Sequence, residues 1–388
     1  MNPGEIYINS MTLTGQNGSF DITNLINLVS VYEDIKLPGT NISLILLDDK
    51  NLQDNFPLIG EETLSIDFNT PSLGSFTHTF NIASMNNASP TINQKAKMYE
   101  LIGVSTEAIT NKSTLIQKTY NTNLSGVVSD IVSSFLNSNK PLNVEETQGV
   151  QKYIVQNKRP FEAIAEIMRR SASVNNPSSS YMFFENQKGL NYKTIEGMLK
   201  DNTVVQFTNA GVIADSIFNV YFRNIISYNV DEAYNVPRKV GQGAFNSTSK
   251  VLDQKTLLYS NQIIPSIIKG ISSGKFKQNI TGSGITNFIP KDMMSPDTFL
   301  DKVLPAQRAY LAEADQRKVH VKVWGDSTLT VGTCVYLHLL QNTSDTSQRT
   351  DDPVLSGKYL ITKLKHVILP PDANPRYTIL MECIPQIT

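Results

Sequence analysis

The segment 320–339 reads HVKVWGDSTLTVGTCVYLHL and predicts two antiparallel strands joined by a turn between two glycines. Apolar and polar residues alternate on both sides of this turn, which is typical of half-buried strands. After a polar loop, the alternation returns at 356–366 and at 377–382. The C-terminal stretch 319–382 therefore predicts an antiparallel sheet.

A second stretch of this kind lies near the N-terminus, between Ile6 and Val104. Short alternating segments recur there, separated by turn residues such as Pro38-Gly39. This spacing favours a β-barrel or sandwich of about 100 residues. The predicted strands are 6–8, 27–34, 41–47, 62–68, 76–83 and 98–105.

The two β-rich stretches resemble each other, which predicts an internal duplication. The offset between the copies changes mainly where the second copy has a longer loop, 341–353. Two unrelated antiparallel sheets that share only their alternation are the alternative explanation. The aligned segments are 60–68 with 332–340, 80–85 with 359–364, and 99–104 with 377–382.

Between these stretches the pattern changes to helical periodicity. Asn123 can cap a helix with one apolar face, and Pro160 can begin a second helix. A strand at 151–156 and a hairpin at 180–194 accompany them. We therefore predict a small α/β domain in the middle of the chain.

The composition limits the possible functions. Hydrophobic residues make up 40% of the chain, charged residues 18%, and the formal net charge is −1, so no electrostatic basis for nucleic-acid or membrane binding exists. No apolar run reaches the length of a membrane span, and the chain does not begin like a secretory signal. We expect synthesis in the cytoplasm, no stable membrane insertion, and buried free thiols at Cys334 and Cys383.

Catalytic and metal-binding patterns are missing from the sequence. The four histidines have no partner at ligand spacing, and adjacent carboxylates such as Glu61 and Glu62 do not face one cleft. Neither a nucleophile elbow nor a complete phosphate-binding loop occurs. We therefore predict no catalytic residue, no metal site and no cofactor.

The C-terminal pattern resembles that of a known family. A strand is followed by Gly-Asp-X-X-Leu-X-X-Gly-X-X-Val, a polar loop, Ser-Gly-X-Tyr-X-Ile, and a strand that ends near a histidine. The pattern is similar to that of baseplate central hub proteins of contractile-tailed bacteriophages, of late-control tail proteins and of the hub part of type VI secretion spike proteins. Segment 159–164, strand 181–184 and Gly189 also resemble the inserted domain of that family. The pattern is carried by Gly325, Asp326, Leu329, Gly332, Val335, Ser356, Gly357, Tyr359, Ile361 and His366.

This resemblance implies an α+β fold, mainly β, with two tube-type antiparallel β-barrel domains. The first barrel is expected at 1–108, an inserted α/β domain at 109–202, and the second barrel at 203–236 and 316–388. A loosely structured intervening region is expected at 237–315. The motif residues are expected to form turns and strands.

The resemblance also implies a structural virion protein. It is expected to be a trimeric baseplate hub that joins the sixfold tail tube to the threefold cell-puncturing spike and forms part of the DNA channel. Expected partners are the other copies in a homotrimer, a separate spike protein, tail-tube or tube-initiator proteins, surrounding baseplate proteins, and genomic DNA that passes without sequence-specific binding. The expected location is the tail baseplate of a virion made in the host bacterial cytoplasm.

Because the sequence ends soon after the last predicted strand, the spike is expected to be a separate protein. Segments 237–294 and 341–353 are expected to contact partners, since they are the least core-like parts of the chain. Two other interpretations stay open, a tail-associated peptidoglycan hydrolase and a host-surface-binding β-protein.

Overall fold

The computed structural model describes residues 3–201 apart from 17, 50–51, 53–55, 57, 72 and 91–95. Beyond residue 201 it describes 204–209, 223–232, 246–253, 256–264, 283–291, 299–341, 351–370, 373 and 376–386. Much of the predicted intervening region and residues 342–350 of the predicted partner loop therefore lie outside the described residues.

Strands dominate the described part of the chain. They are β1 (Tyr7–Gly15), β2 (Gly18–Asp21), β3 (Ile26–Asp34), β4 (Asn41–Asp48), β5 (Thr63–Thr70), β6 (Gly74–Pro90), β7 (Lys97–Val104), β8 (Ile116–Thr122), β9 (Leu142–Val144), β10 (Gln151–Lys158), β11 (Tyr181–Asn186), β12 (Gly189–Thr194), β13 (Val204–Asn209), β14 (Asn224–Glu232), β15 (Asn246–Asp253), β16 (Tyr259–Ile264), β17 (Ser283–Lys291), β18 (Arg317–Trp324), β19 (Cys334–His338), β20 (Gly357–Ile368) and β21 (Tyr377–Pro385). The helices are α1 (Thr106–Ser113), α2 (Leu124–Asp130), α3 (Pro160–Arg170), α4 (Ile195–Leu199) and α5 (Leu300–Ala314). None of these helices is long and apolar enough to cross a bilayer.

The N-terminal unit is a sheet in the order β3-β4-β7-β6-β5-β1-β2, and every pairing in it is antiparallel. Its strands alternate between buried apolar and exposed polar positions, as β4 and β5 show most clearly. Alternate side chains point to opposite faces of a strand, so this pattern buries one face of the sheet. The core of the unit includes Leu44, Leu64, Phe68, Phe80 and Leu101.

The C-terminal unit is a closed six-stranded barrel in the order β13-β14-β18-β21-β20-β19. It closes because β19 pairs both with β13 and with β20. The expected mainly β fold is confirmed, and it contains a closed six-stranded barrel. Strand β13 departs from the antiparallel expectation, since it runs parallel to both of its neighbours. Parallel neighbours cannot be joined by a tight turn, and residues 210–223 separate β13 from β14.

Strand β20 joins the two units into one continuous sheet by pairing antiparallel with β3. The register runs from Lys363 opposite Asp34 to Ile368 opposite Val29. Buried apolar residues of both units also belong to one hydrophobic cluster. The two β units therefore share both a sheet and a core.

The strand order supports the predicted duplication. Strands β1, β3, β4, β5, β6 and β7 follow the same chain order as β13, β14, β18, β19, β20 and β21, and they pair in the same way except at one place: β13 pairs with β14, whereas no pairing of β1 with β3 occurs among the described residues. Strand β1 runs antiparallel to β5, whereas its counterpart β13 runs parallel to β19. The two units therefore differ in the direction of their first strand, β1 in one and β13 in the other.

A β-bulge occurs at the same place in both copies. The pairing register shifts between Ile82 and Ser84 in β6, and between Ile361 and Lys363 in β20. These residues correspond in the alignment predicted from the sequence. A bulge bends a strand and is a specific feature, so its recurrence strengthens the case for two copies of one unit.

Two parts of the predicted alignment are wrong in register. Pairing with β6 and β20 equates Leu64 with Val335 rather than with Tyr336. It also equates Tyr99 with Ile379 rather than with Tyr377. Side chains alternate with a period of two, so a shift of two residues leaves the pattern unchanged, which explains the error at Tyr99. The error at Leu64 is one residue, because the glycine lies one residue further from the matching strand position in the first copy than in the second.

Residues between the two units form a smaller α/β layer with its own hydrophobic cluster. Strand β8 pairs with β10, while β9, β12 and β11 form a three-stranded sheet against which α3 packs. As predicted, the Asn123 side chain caps α2 by accepting from Gly126 N at 3.0 Å, and Pro160 begins α3. Helix α2 differs from the prediction, because it passes into a π turn at Ile131–Phe135.

Within 237–315 the described residues form a second three-stranded sheet, β16-β15-β17, and helix α5. Buried Ser249 of β15 donates to the carbonyl oxygen of Asp301 in α5 at 2.9 Å. Gln307 of α5 donates to the carbonyl oxygens of Ser179 at 2.6 Å and Met168 at 3.0 Å. Helix α5 thus connects the small sheet to the central α/β layer.

Candidate functional site

The turn 325–332, between β18 and β19, contacts the β5–β6 hairpin of the other unit. Ser327 N donates to Thr70 Oγ1 at 2.9 Å, and Thr70 N donates to Ser327 Oγ at 3.3 Å. Ser327 Oγ also donates to the carbonyl oxygen of Gly74 at 2.5 Å. The motif turn therefore joins the two β units through reciprocal hydrogen bonds.

Gly325 and Asp326 shape the start of this turn. A Cβ atom at Gly325 would lie 1.9 Å from Cδ1 of buried Tyr377, so only glycine fits there. The buried Asp326 carboxylate accepts from Thr328 N at 2.9 Å and from Thr328 Oγ1 at 2.6 Å, and it forms an ion pair with Arg223. Asp326 thus fixes the turn and neutralises a nearly buried guanidinium group.

The end of the turn meets the central α/β layer. Gly332 has a φ of +78°, which favours glycine, and a Cβ atom there would lie 2.7 Å from Cζ of Phe184 in β11. Asn186, at the end of the same strand, donates from Nδ2 to the carbonyl oxygen of Val331 at 3.0 Å. Leu329 is buried in the shared core. Three parts of the chain therefore meet at the motif turn.

Glu33 of β3 lies at the centre of this meeting point and is buried. Its Oε2 accepts from Thr330 Oγ1 at 2.6 Å and from Val331 N at 3.0 Å, and its Oε1 accepts from Gln187 N at 3.1 Å. Burial raises the pKa of Glu33 to about 7, although these hydrogen bonds and nearby His78 oppose that rise. One carboxyl group thus holds together the N-terminal unit, the motif turn and the β11–β12 hairpin.

A second buried carboxyl group, Glu185 of β11, lies in the same region. It forms an ion pair with Lys140, its Oε1 lies 3.3 Å from His78 Nε2, and it accepts from Thr40 N at 3.1 Å. Burial alone would raise the pKa of Glu185, but His78 and Lys140 outweigh it and lower the pKa to about 2. Lys140 also pairs with Glu107 at 2.6 Å, so the central layer is attached to the N-terminal unit by buried charges.

We call the contacts of Glu33 and Glu185 the three-part junction. The junction was not predicted from the sequence, since an isolated glutamate in a predicted strand matches no catalytic or binding pattern. The burial of Glu33 could have been recognised from the sequence, because Glu33 alternates with Val29 and Val31 and therefore points to the same, buried face of β3. An acidic residue at an inward position implies a specific partner.

The second group of motif residues lies at the base of the polar loop. Ser356 Oγ accepts from Leu339 N and donates to the Leu339 carbonyl oxygen, both at 2.9 Å. Gly357 begins β20, and the Tyr359 hydroxyl donates to the carbonyl oxygen of Leu355 at 2.6 Å. His338 pairs with Asp351 at 2.7 Å across the same base. These contacts hold the two ends of the loop together.

His366 lies in β20 and is completely buried. Its Nδ1 lies 2.7 Å from the hydroxyl oxygen of Tyr377, the residue whose ring and backbone also contact Gly325. Burial lowers the pKa of His366 to about 3, so the imidazole is neutral. His366 is thereby linked to the motif turn, whereas Ser356, Gly357 and Tyr359 lie apart from it.

The described residues do not bring together groups that suggest catalysis. No cluster of three or more His, Cys, Asp or Glu side chains with metal-binding geometry occurs among them. Cys334 and Cys383 are both buried free thiols, as expected, and burial raises the pKa of the Cys334 thiol to about 11. A thiol of this kind is a poor nucleophile at neutral pH.

A trough of about 580 Å³ crosses the face of the joined sheet between β3 and β14. Three partly exposed apolar side chains line it, Leu37, Tyr32 and Leu380. Lys322 and Lys365 flank Leu380 in the strand register, and the Lys365 ammonium lies 4.9 Å from the Tyr32 ring centre. The trough therefore combines apolar surface with charged side chains of both signs, since Asp34 and Glu382 also line it.

No family model and no curated protein matches this sequence. Solved structures do match it over nearly the whole chain. The tail protein from Neisseria meningitidis MC58 has a TM-score of 0.60 at 7% identity, with 97% of this chain and 96% of that chain covered. The 43 kDa tail protein of prophage MuSo2 from Shewanella oneidensis has a TM-score of 0.56 at 10% identity, with 97% of both chains covered.

The chain has the fold of phage tail proteins. A Francisella PdpA-VgrG complex also matches, with a TM-score of 0.51 at 13% identity, covering 99% of this chain and 54% of that chain. The resemblance found in the motif residues is thus confirmed at the level of the fold.

Proposed function

We propose that this protein is a structural component of a phage-type tail, and specifically the baseplate hub. The observation that carries the proposal is the pair of like-ordered β units joined by β3 and β20 into one sheet. A chain with two such units supplies two equivalent building blocks of a tube. The solved tail proteins with the same fold support this assignment.

Three copies of the chain would supply six β units. A ring of this kind has threefold symmetry as a trimer and approximate sixfold symmetry in its units, so it can match a sixfold tube on one side and a threefold spike on the other. Its partners are a separate spike protein, tail-tube proteins and surrounding baseplate proteins. Genomic DNA passes through the lumen without sequence-specific binding, and the protein resides in the virion.

The internal contacts fit a structural role. Within this proposal the β units occupy 1–108 and 203–236 with 316–388, and the insertion occupies 109–202. The buried ion pairs and hydrogen bonds of the three-part junction fix the insertion to both β units, which keeps the building blocks in a set orientation. The motif residues shape turns and strand ends in this assembly, and catalysis belongs to other tail components.

The mass of the purified full-length chain and electron-microscopic images of it test the proposal. We expect a trimeric mass and a threefold ring with six similar densities at its rim. A monomer at all concentrations, with no ring in the images and none after addition of tail-tube protein, contradicts the hub assignment.

A further inference from the structure

Three large apolar side chains, Leu257, Leu258 and Tyr259, are exposed immediately before β16 and at its first residue. Leu257 is 77% exposed, Leu258 69% and Tyr259 57%. The two leucines are the most exposed large apolar side chains in the described part of the chain. We call these three residues the hairpin tip. Contiguous exposed apolar residues at a rigid position mark an interaction site.

The backbone holds the hairpin tip in a defined shape. Leu257 has a φ of +56°, a conformation that is unfavourable for a residue with a Cβ atom. Asp253 N donates to the carbonyl oxygen of Leu258 at 3.0 Å, and Thr256 N donates to Asp253 Oδ1 at 3.2 Å. Unfavourable backbone conformations that are fixed in this way cluster at functional positions.

The hairpin is also firmly attached. Strand β15 pairs on both sides, with β16 and with β17, and its buried Ser249 hydrogen-bonds to α5. Helix α5 contacts α3 and β18 in turn. The tip therefore projects from a supported element, and little conformational entropy is lost when it binds a partner.

The trough between β3 and β14 offers a receiving surface of matching chemistry. It exposes two leucines and a tyrosine, Leu37 at 47%, Leu380 at 42% and Tyr32 at 39%. Its volume of about 580 Å³ can accommodate two leucine side chains and a tyrosine ring. Lys322 lines the trough opposite Leu380, where its ammonium group can bind backbone carbonyl groups of an inserted turn.

We propose that the hairpin tip of one copy inserts into the trough of the next copy around the ring. This rests on the proposed trimer and specifies how its copies recognise each other. A projection and a trough at different places on one chain make a head-to-tail contact, which closes into a ring when the rotation per copy allows it. The second copy is the occupant because this chain carries both halves of the contact.

The tip acts as the anchor of a larger interface. Its exposed apolar surface is on the order of a few hundred Å², whereas a specific interface buries about 800 Å² on each partner. Neighbouring surfaces supply the rest. Anchors that fill a pocket near the centre of an interface contribute most of its binding energy.

Cross-linking between copies tests the contact directly. The double variant Leu257→Cys with Leu380→Cys, treated with a short bismaleimide, should give covalent dimers and trimers on a denaturing gel. Cys334 and Cys383 are buried and do not compete. The matched control is Leu257→Cys with Tyr7→Cys, since Tyr7 is 52% exposed but lies outside the trough. Equal cross-linking in the control, or no cross-linking in either variant, overturns the inference.

Sedimentation of Leu257→Ser with Leu258→Ser separates this inference from the hub proposal. We expect at least about a tenfold rise in the concentration at which half of the chains assemble, as for the loss of an interface anchor, with an unchanged circular dichroism spectrum. A variant that still forms the wild-type trimer at wild-type concentration overturns the tip contact and leaves the hub proposal standing. A wild-type protein that is monomeric throughout overturns both.

Discussion

The backbone N–H of Val331 donates to Glu33 Oε2 at 3.0 Å, although the two residues belong to different β units and Glu33 is buried. Glu33 Oε1 accepts from Gln187 N of the central layer at 3.1 Å. One carboxyl group thus couples three parts of the chain. Its ionisation must therefore affect the stability of the whole molecule.

Stability should fall as the pH rises through neutrality because of Glu33. Burial raises the pKa of Glu33 from 4.5 to about 7, so the folded state binds more protons than the unfolded state between these values. The contribution is fully present below pH 4.5 and is lost as the pH rises through 7. By linkage it amounts to about 3 kcal/mol. Urea unfolding measured from pH 5 to pH 8.5 checks this.

The variant Glu33→Gln isolates that contribution, since the neutral amide does not titrate. Between pH 5 and pH 8.5 the stability of Glu33→Gln relative to the wild type should therefore rise by about 3 kcal/mol, because the contributions of all other groups, His366 included, are common to both proteins. Glu61→Gln is the control, because Glu61 is exposed, and it should keep the wild-type pH dependence. Parallel curves for the wild type and Glu33→Gln would show that Glu33 does not titrate in this range.

Lys140 should matter far more than a surface lysine. Replacing it by Met leaves Glu107 and Glu185 without their shared ammonium group, and loss of one partner from a buried pair costs about 3 kcal/mol or more. Lys118→Met is the matched control, because Lys118 is 42% exposed and its pair with Asp130 is worth less than about 1 kcal/mol. Equal losses in chemical denaturation would contradict the importance of the junction.

Much of the fold follows from alternation, which is a local property of the sequence. Segments 41–47 and 62–68 were predicted as strands and are β4 and β5 with small changes at their ends. The similar strand order of the two units agrees with the predicted duplication, although the order itself was not predicted. The direction of β13 could not be predicted, because it depends on the path of the chain that connects β13 to its neighbours. The alternation of side chains does not encode that path.

The junction could not be predicted for a different reason. The donors to Glu33 come from positions about 150 and 300 residues further along the chain, and no local pattern encodes contacts of that separation. The motif glycines were predictable as turn residues from their sequence context. That Gly325 contacts Tyr377 and that Gly332 contacts Phe184 required the packed structure.

Gly325→Ala should severely destabilise the protein. The new Cβ atom would lie 1.9 Å and 2.1 Å from ring atoms of buried Tyr377, so β18 and β21 would have to separate. Overpacking of this size costs about 3 kcal/mol or more. Gly15→Ala is the control, since its Cβ atom would lie no closer than 3.2 Å to any side-chain atom, the nearest being Glu62 Cγ and Phe56 Cζ. Thermal unfolding of both variants decides the matter, and equal melting temperatures would contradict the close contact.

His366 should make the protein less stable in mild acid. Burial lowers its pKa from 6.5 to about 3, so the unfolded state binds more protons between these values. This contribution is present above pH 6.5 and is lost as the pH falls towards 3, by about 2 kcal/mol at pH 5. His366→Phe removes the titration, so the stability of this variant relative to the wild type should rise by about 2 kcal/mol between pH 7 and pH 5, because the contribution of Glu33 is common to both proteins. An unchanged difference between the two proteins would contradict a neutral His366.

Replacement of residues 342–350 by a short Gly-Ser linker should spare the fold and impair assembly. The loop base is held without these residues, because Asp352 N donates to the Leu339 carbonyl oxygen at 2.7 Å and His338 pairs with Asp351. Loop closure depends only weakly on loop length, so the melting temperature should change little.

Co-assembly with tail-tube and spike proteins should fall in the same variant, since the loop is proposed to contact partners. Asp351→Ala provides the comparison, because it weakens the loop base while leaving residues 342–350 in place. If the shortened variant assembles into tails as well as the wild type does, then the loop is not a docking surface. If its melting temperature falls as much as that of Gly325→Ala, then the loop supports the barrel rather than a partner.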